Sequence, residues 1–171
     1  ELEQVRYFSA VQKHAEKAKR QDKFFQANKL NPKFSLLLGD FKRRTKWRKI
    51  DCNGKKVSRE ILFWEEKKSD VALASYIIRD VALEKCDVIF LFSADSDITP
   101  ALDVVQEITN TKRNVKIIVF FPPGNFSYDL KQKANKSFKL ENHEYKFQHS
   151  QLPEKITLSN GFVIEKPEKW C

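Results

Sequence analysis

The apolar positions of this chain fall into short clusters that are separated by longer charged segments. Five apolar residues follow one another without a break over Val88–Phe92, and a second cluster covers residues 115–121. Short runs of this kind are typical of strands that are buried on both faces of a parallel sheet. Residues 5–10 and 34–38, which are rich in β-branched, aromatic or leucine side chains, predict two further strands. We therefore expect four strands in one parallel sheet.

Helical patterns lie between these strands. Residues 13–30 carry part of an apolar stripe at helical spacing, and Asn31-Pro32 ends it. Ser69 is a candidate N-cap for a helix that starts at Asp70, and Thr99-Pro100 is a cap followed by proline at the start of another helix. Residues 128–134 predict a short helix, and residues 138–140 a short edge strand. Because strands and helices alternate, the sequence predicts an α/β fold with a parallel sheet and helices on both faces.

The segment after residue 38 predicts a β-hairpin. Asn53-Gly54 is a strong signal for a hairpin turn, and residues 61–64 suit the returning strand. From residue 141 onward the chain is polar and is punctuated by prolines and by Asn160-Gly161. We expect one domain over residues 1–140, with residues 141–171 as a C-terminal extension packed on it.

Charge and cysteine content narrow the choice of partner and compartment. The chain has 32 Lys and Arg residues against 23 Asp and Glu residues, a formal net charge of +9. This excess favours nucleic acid as the partner, although a role in solubility alone is equally compatible with it. Three widely separated cysteines form neither a disulfide framework nor a zinc-binding pattern, which indicates a reducing cytoplasm. No apolar run approaches the roughly 20 residues that span a membrane, so we expect no membrane partner.

Three acidic residues are candidates for chemistry. Asp95 and Asp97 follow the predicted strand Val88–Phe92, and Asp70 opens a predicted helix. Ligands of open α/β sheets bind beyond the carboxyl ends of the strands, and neighbouring carboxylates repel each other unless a cation or a proton lies between them. Each acid also has a structural alternative. Asp70 can simply complement the helix dipole, and an Asp after a strand can cap a helix, although Thr99 already suits that second role.

A group of carboxylates suits metal-assisted hydrolysis of a phosphodiester. Mg²⁺ prefers hard oxygen ligands and keeps several of its waters, and the bound ion lowers the pKa of an attacking water. Covalent catalysis is poorly supported, because Cys86 lies at the end of a predicted helix and Cys52 lies in a basic hairpin with no evident base. His14, His143 and His149 lack metal-binding spacing and lie in polar segments, and the sequence has no Gly-rich phosphate loop.

The motifs around these acids resemble a known family. Lys67-Lys68-Ser69-Asp70-Val71-Ala72-Leu73-Ala74, the strand at residues 87–92 and Ser93-Ala94-Asp95-Ser96-Asp97 are similar to the NYN domain, the branch of the PIN-like nuclease superfamily that includes LabA-type proteins. The resemblance extends over almost the whole chain through Tyr7-Phe8-Ser9-Ala10, Gly39-Asp40-Phe41, Phe121-Pro122-Pro123 and Ser150-Gln151-Leu152-Pro153.

The resemblance implies a three-layer α/β/α, Rossmann-like PIN fold with a mostly parallel central sheet, and metal-dependent ribonuclease chemistry with Mg²⁺ or Mn²⁺. By motif position, Asp70, Asp95 and Asp97 would be the metal-site acids, and Ser93 would help to position the site. The family pattern also has a first strand that ends in an Asp-x-x-Asn element. Residues 1–4 do not contain it, so we expect either an upstream strand that supplies a further carboxylate or a site with one acid fewer.

The basic run after residue 41 is the candidate RNA contact outside the metal site. Lys and Arg bind phosphates electrostatically, and a Trp can stack on an unpaired base. A merely solvated hairpin is an equally weighted alternative. The candidate RNA-binding residues are Lys42, Arg43, Arg44, Trp47, Arg48 and Lys67.

These observations together predict a metal-dependent endoribonuclease that acts on single-stranded RNA, whose exposed bases and phosphates suit a shallow cleft. The alternative is a catalytically weak RNA-binding or regulatory module with the same fold. The sequence leaves open RNA against DNA, Mg²⁺ against Mn²⁺, and monomer against homo-oligomer.

Overall fold

The computed structural model of the chain describes residues 1–52, 55–111 and 114–170, apart from the side chains of residues 52 and 55. The predicted hairpin turn Asn53-Gly54 lies outside these residues. The strands are β1 Val5–Ala10, β2 Phe34–Cys52, β3 Lys55–Lys67, β4 Val88–Phe92, β5 Lys116–Phe121, β6 Lys136–Lys139, β7 Lys155–Thr157 and β8 Val163–Glu165. The α-helices are α1 Ala15–Lys29, α2 Ser69–Ala82, α3 Thr99–Thr111, α4 Tyr128–Lys133 and α5 Glu144–His149.

The chain divides into two compact units. The N-terminal unit contains Gln4–Ser69 and the residues from Pro167 onward, and the C-terminal unit contains Asp70–Lys166 with Glu1–Glu3. The domain boundary expected after residue 140 stays a prediction. None of the helices in the described part of the chain is both long enough and apolar enough to span a bilayer.

In the N-terminal unit, β1 pairs in parallel with the first six residues of β2. Helix α1 packs on this ladder through aromatic side chains. The ring centroids of Tyr7 and Phe24 are 5.3 Å apart, and Phe25 is buried. The side-chain amide of Gln21 donates a hydrogen bond of 3.0 Å to the carbonyl oxygen of Ala10, which ties the helix to the end of β1. Both strands predicted for this part of the chain are confirmed.

Beyond Gly39, β2 continues as an antiparallel ladder with β3, from Asp40 opposite Lys67 to Cys52 opposite Lys55. We call this two-stranded part the β2–β3 ribbon. Its 13 residue pairs keep one register throughout and span about 40 Å at about 3.4 Å per residue. Strand β3 is longer than the returning strand predicted at residues 61–64. It extends through charged residues, because both faces of the ribbon are exposed to water.

Gly39 stands where the parallel and antiparallel parts of β2 meet, and the backbone there passes very close to its neighbours. A Cβ at this position would lie 2.5 Å from the hydroxyl oxygen of Ser69 and closer still to the carbonyl oxygen of Lys67. Real Cβ atoms essentially never approach other atoms so closely, and the backbone carbonyl cannot rotate away as a long side chain could. Because residue 39 has no side chain, the backbones of β2 and the end of β3 can lie this close together.

The C-terminal unit is built around β5, which pairs in parallel with β4 on one side and β6 on the other. Alternate residues of β5 point to the same face, and Ile117, Val119 and Phe121 are at most 2% exposed there. Leu102 and Val105, which are three residues apart on one face of α3, belong to the same buried cluster and are 0% exposed. The helix predicted at Thr99-Pro100 and the strand predicted at 115–121 are thus confirmed.

Two sequence expectations about the strands are wrong. The four predicted strands do not share one sheet in the described residues, because β1–β2–β3 and β4–β5–β6 are separate sheets. An apolar run identifies a strand but does not specify its hydrogen-bonded neighbour. The strand Val88–Phe92 is also not buried on both faces, since Phe90 is 54% and Phe92 63% exposed while Leu91 is 4% exposed.

The exposed face of this sheet is aromatic. The rings of Phe92 and Phe120 stack with centroids 4.7 Å apart, and those of Phe120 and Phe138 with centroids 5.3 Å apart. A strand with phenylalanines on its exposed face and aliphatic residues on its buried face gives the same unbroken apolar pattern as full burial, which explains the error. The short helix and edge strand predicted near residues 128 and 138 are confirmed as α4 and β6.

The tight approach at Gly39 generates a stability prediction. We expect Gly39→Ala to lower the free energy of unfolding by about 1–3 kcal/mol, the usual cost of forcing extra atoms into a packed region. Urea-induced unfolding followed by circular dichroism measures this change. An unfolding midpoint equal to that of the parent would show that β2 and β3 separate without cost at this point.

The buried cluster generates a second prediction. We expect Leu102→Ala to destabilise the protein by about 2–5 kcal/mol, because it leaves a cavity beside β5. Leu83→Ala removes the same atoms from a side chain that is 59% exposed, and we expect it to change the stability by no more than about 0.5 kcal/mol. Equal losses for the two variants in urea unfolding would contradict this description of the core.

Candidate active site and nucleic-acid interface

The turn that follows β4 holds two of the three predicted acids in a defined geometry. The backbone N–H of Asp95 donates to the hydroxyl oxygen of Ser93 at 3.1 Å, and the backbone N–H of Asp97 donates to a carboxylate oxygen of Asp95 at 3.0 Å. Ile98, which is 2% exposed, inserts into the core and fixes the end of the turn. The turn therefore rests on the sheet while Asp95 and Asp97 remain exposed to solvent.

Asp95 itself caps a helix, which is the structural alternative that the sequence left open. A short 3-10 helix, Ser96–Ile98, lies between β4 and α3, and Asp95 is its N-cap. The sequence pattern favours Thr99 as the cap, but the Thr99 hydroxyl donates instead to the carbonyl oxygen of Ser96 at 2.7 Å. Since the extra turn has its own unpaired N–H groups, it needs its own cap. Asp95 thus has a structural role whether or not it has a chemical one.

Asp70, the third predicted acid, lies in the first turn of α2 within the same compact unit, and it is exposed. The helix begins at Ser69 rather than after it, and the Ser69 hydroxyl donates to Glu66 at 2.5 Å. Across residues 1–52, 55–111 and 114–170, no group of three or more His, Cys, Asp or Glu side chains is arranged to hold a metal ion. The assignment of Asp70, Asp95 and Asp97 to one metal centre, with Ser93 positioning it, therefore stays a prediction.

The donor chemistry of the turn still suits a hard divalent cation. Two exposed carboxylates separated by one residue are compatible with Mg²⁺ or Mn²⁺, because Mg²⁺ is usually bound through one or two carboxylates and keeps several waters. What the described residues do not provide is a preformed three-ligand group. The two carboxylates therefore suit an ion that keeps several of its waters rather than one enclosed by protein ligands.

The predicted RNA-binding residues lie on the β2–β3 ribbon, and the register divides them between its two faces. Arg43 is opposite Trp64 and Trp47 is opposite Glu60, whereas Arg44 is opposite Phe63. Because successive residues of a strand point to opposite faces, Lys42, Arg44 and Arg48 share one face with Lys67. Arg43 and Trp47 lie on the other. The basic run is therefore not one surface.

Two of the predicted RNA contacts already share an acidic partner. Glu65 accepts from Lys67 at 3.0 Å and from Arg44 at 3.2 Å. The hydrogen bond from Lys67 lowers the pKa of Glu65, and Arg44 lowers it further. Lys46, which is not among the predicted RNA contacts, lies on the same face with its ammonium 4.7 Å from the Phe63 ring centroid. The basic residues at every second position, 42, 44, 46 and 48, are the sequence pattern that indicates Lys46 as a member of this face.

A second ion pair lies where the ribbon joins the rest of its unit. Lys68 forms a short hydrogen-bonded ion pair with Asp40, which lowers the pKa of that carboxyl group. Lys68 has φ +77°, a left-handed conformation that is uncommon for a residue with a side chain. The sequence indicates Lys67 but not Lys68 as a candidate contact, because only the folded chain shows which of the two lysines pairs with Asp40.

Comparison with solved structures finds a match to the crystal structure of a protein of unknown function from Vibrio parahaemolyticus, at a TM-score of 0.46 and 16% sequence identity. The similarity covers 78% of this chain and 66% of that one, slightly less than two thirds of its length. No curated protein matches the sequence. The NYN domain family matches residues 4–141, so most of the chain is accounted for by one family. The chain therefore belongs to the NYN domain family.

Proposed function

We propose that this chain is a metal-dependent endoribonuclease of the LabA-like branch, with Asp95 and Asp97 as the central acids of its site. NYN domains are in general nucleases of PIN-like type that use divalent metals, which supports hydrolysis of a nucleic acid. The observation that carries the proposal is the turn after β4, where a chain of two hydrogen bonds presents both carboxylates to solvent at the carboxyl end of a strand.

Each residue of the turn has a distinct part in the proposed mechanism. Ser93 accepts from the N–H of Asp95 and so fixes the direction of the chain at that residue. Asp95 caps the 3-10 helix and orients Asp97 with the same carboxylate. Asp95 and Asp97 would hold the ion, with Asp70 of α2 as the third acid. When bound, a divalent ion lowers the pKa of a bound water and stabilises negative charge on the phosphoryl oxygens.

Single-stranded RNA is the substrate that we propose. The chain carries a net charge of +9, which supports binding of a polyanion. An exposed turn makes no deep pocket for a base, so the substrate would be held mainly through its phosphates. A single strand presents those phosphates and its bases without the constraint of a duplex.

A second candidate function is an RNA-binding or regulatory module with little hydrolytic activity. The observation that favours it is the lack of a three-ligand group in the parts of the chain that the structure describes. The capping role of Asp95 adds to this, because an acid in that position is useful to the fold without any metal.

The proposed chemistry predicts the effect of removing one charge from the turn. We expect Asp97→Asn to lower Mn²⁺-dependent cleavage of a single-stranded RNA by at least about 100-fold, since a metal ion supplies several kcal/mol of transition-state stabilisation. Gel analysis of a labelled RNA with and without EDTA measures the rate. Glu107→Gln removes the same charge from an exposed position on α3 and serves as the control.

Cleavage by Asp97→Asn at the parent rate would refute the proposed role of this acid. A parent protein that binds RNA but does not cleave it with Mg²⁺ or Mn²⁺ would instead establish the second candidate function.

The double role of Asp95 predicts different outcomes for two substitutions. Asp95→Asn keeps an oxygen that can accept from the N–H of Asp97, so we expect unchanged stability together with loss of cleavage. Asp95→Ala also removes the cap, and we expect it to cost about 0.5–2 kcal/mol in urea unfolding. If both variants were equally stable, the cap would contribute nothing. If Asp95→Asn retained full activity, the role of Asp95 would be structural alone.

A further inference from the structure

The β2–β3 ribbon segregates charge between its two faces. We define the cationic face as the side that carries the even-numbered residues of β2 from Asp40 and their partners on β3. Its described side chains include six basic residues and two acidic ones. The basic residues are Lys42, Arg44, Lys46, Arg48, Arg59 and Lys67.

The opposite side is electrically balanced and aromatic. We call it the tryptophan face, since it carries Trp47 and Trp64, which are 70% and 47% exposed. Among its described side chains, Arg43, Lys49 and Lys56 are matched in number by Asp51, Glu60 and Glu66. The two faces therefore differ strongly in net charge although they share the same backbone.

The cations of the cationic face form a row. Four of them occupy every second position of β2, which places them about 6.8 Å apart along the strand. This interval is comparable with the distance between successive phosphates of an extended nucleic-acid strand. In the described residues Arg44 and Lys67 pair with Glu65, whereas Lys42 and Arg48 have no ion-pair partner. Lys68 lowers the pKa of the nearby Asp40 carboxyl group most, and the charge of Lys42 lowers it further. With six cations against two acids, the face keeps a net positive charge.

We propose that the cationic face binds the phosphate backbone of single-stranded RNA and that the tryptophan face does not contribute to this binding. The choice of RNA rests on the proposed function, whereas the choice of face rests on the register of the ribbon. A regular row of cations along one strand matches a linear polyanion better than the scattered carboxylates of a folded acidic protein. Binding would release condensed counterions, so it would weaken steeply as salt rises.

The ribbon offers a matched pair of variants that tests the choice of face. Lys42→Ala/Arg48→Ala removes one lysine and one arginine from the cationic face. Arg43→Ala/Lys49→Ala removes the same two residue types from the tryptophan face of the same strand. All four side chains are exposed, and none has an ion-pair partner among the described residues. The two variants therefore have the same net charge as each other, and they differ only in which face of the ribbon is changed.

The measurement is fluorescence anisotropy with a labelled oligouridylate that is long enough to span the ribbon. It is made in EDTA and in an Asp97→Asn background, so that the result does not depend on cleavage. We expect the Lys42/Arg48 variant to lose affinity about tenfold or more, and its slope of log affinity against log salt to fall by about 1.4, at about 0.7 per phosphate contact. We expect the Arg43/Lys49 variant to bind within about twofold of its parent.

Three results would overturn the proposal: equal losses for the two variants, no loss for either, or competition by poly-glutamate as effective as by unlabelled RNA. The first would mean that net charge rather than one face binds RNA, and the last would point to an acidic protein partner. Lys42→Gln/Arg48→Gln, which removes both charges but keeps an unbranched polar side chain, repeats the test if the alanine variant folds poorly. A protein that binds RNA in this way but never cleaves it would contradict the proposed function and leave this inference intact.

Discussion

The burial of β5 is the constraint on which the C-terminal unit depends. Ile117, Val119 and Phe121 are buried on one face of the strand. Helix α3 contributes Leu102 and Val105 to the same buried cluster. Each such side chain contributes roughly 1.5–3 kcal/mol when it is fully buried. The start of α3 and the end of β4 are thereby held on the same sheet, and the chain between them has only a few residues in which to turn.

The acidic turn follows from that restriction. A short connection between a strand and a helix leaves backbone N–H groups without partners, and the side chains of Ser93 and Asp95 accept from two of them. The hydrogen bonds that satisfy the fold are thus the same ones that present the carboxylates of Asp95 and Asp97. Structural and chemical explanations of these acids are therefore not exclusive, and only substitutions that separate charge from hydrogen bonding distinguish them.

The sequence predicts the elements of this fold better than their arrangement. The strand at Val88–Phe92 and the helix after Thr99 are identified by an unbroken apolar run and by a cap with proline, which are local features. The pairing of β4 with β5 depends on backbone groups that are distant in sequence. The two faces of the ribbon can be predicted from the sequence, because successive residues of a strand point to opposite faces. This alternation already separates Arg43 from Arg44. The distance from Asp70 to the turn after β4 has no local signal at all.

The length of the ribbon has a consequence for its dynamics. From Asp40 outward β2 pairs only with β3 in the described residues, and a two-stranded ribbon without a third strand is marginally stable in water. Its amide hydrogens would then exchange with solvent through local opening, at a free energy well below that of global unfolding. A ligand that binds only the closed ribbon raises this local free energy with the logarithm of its concentration. The fraction of ribbon that is paired would accordingly be set by how much ligand surrounds it.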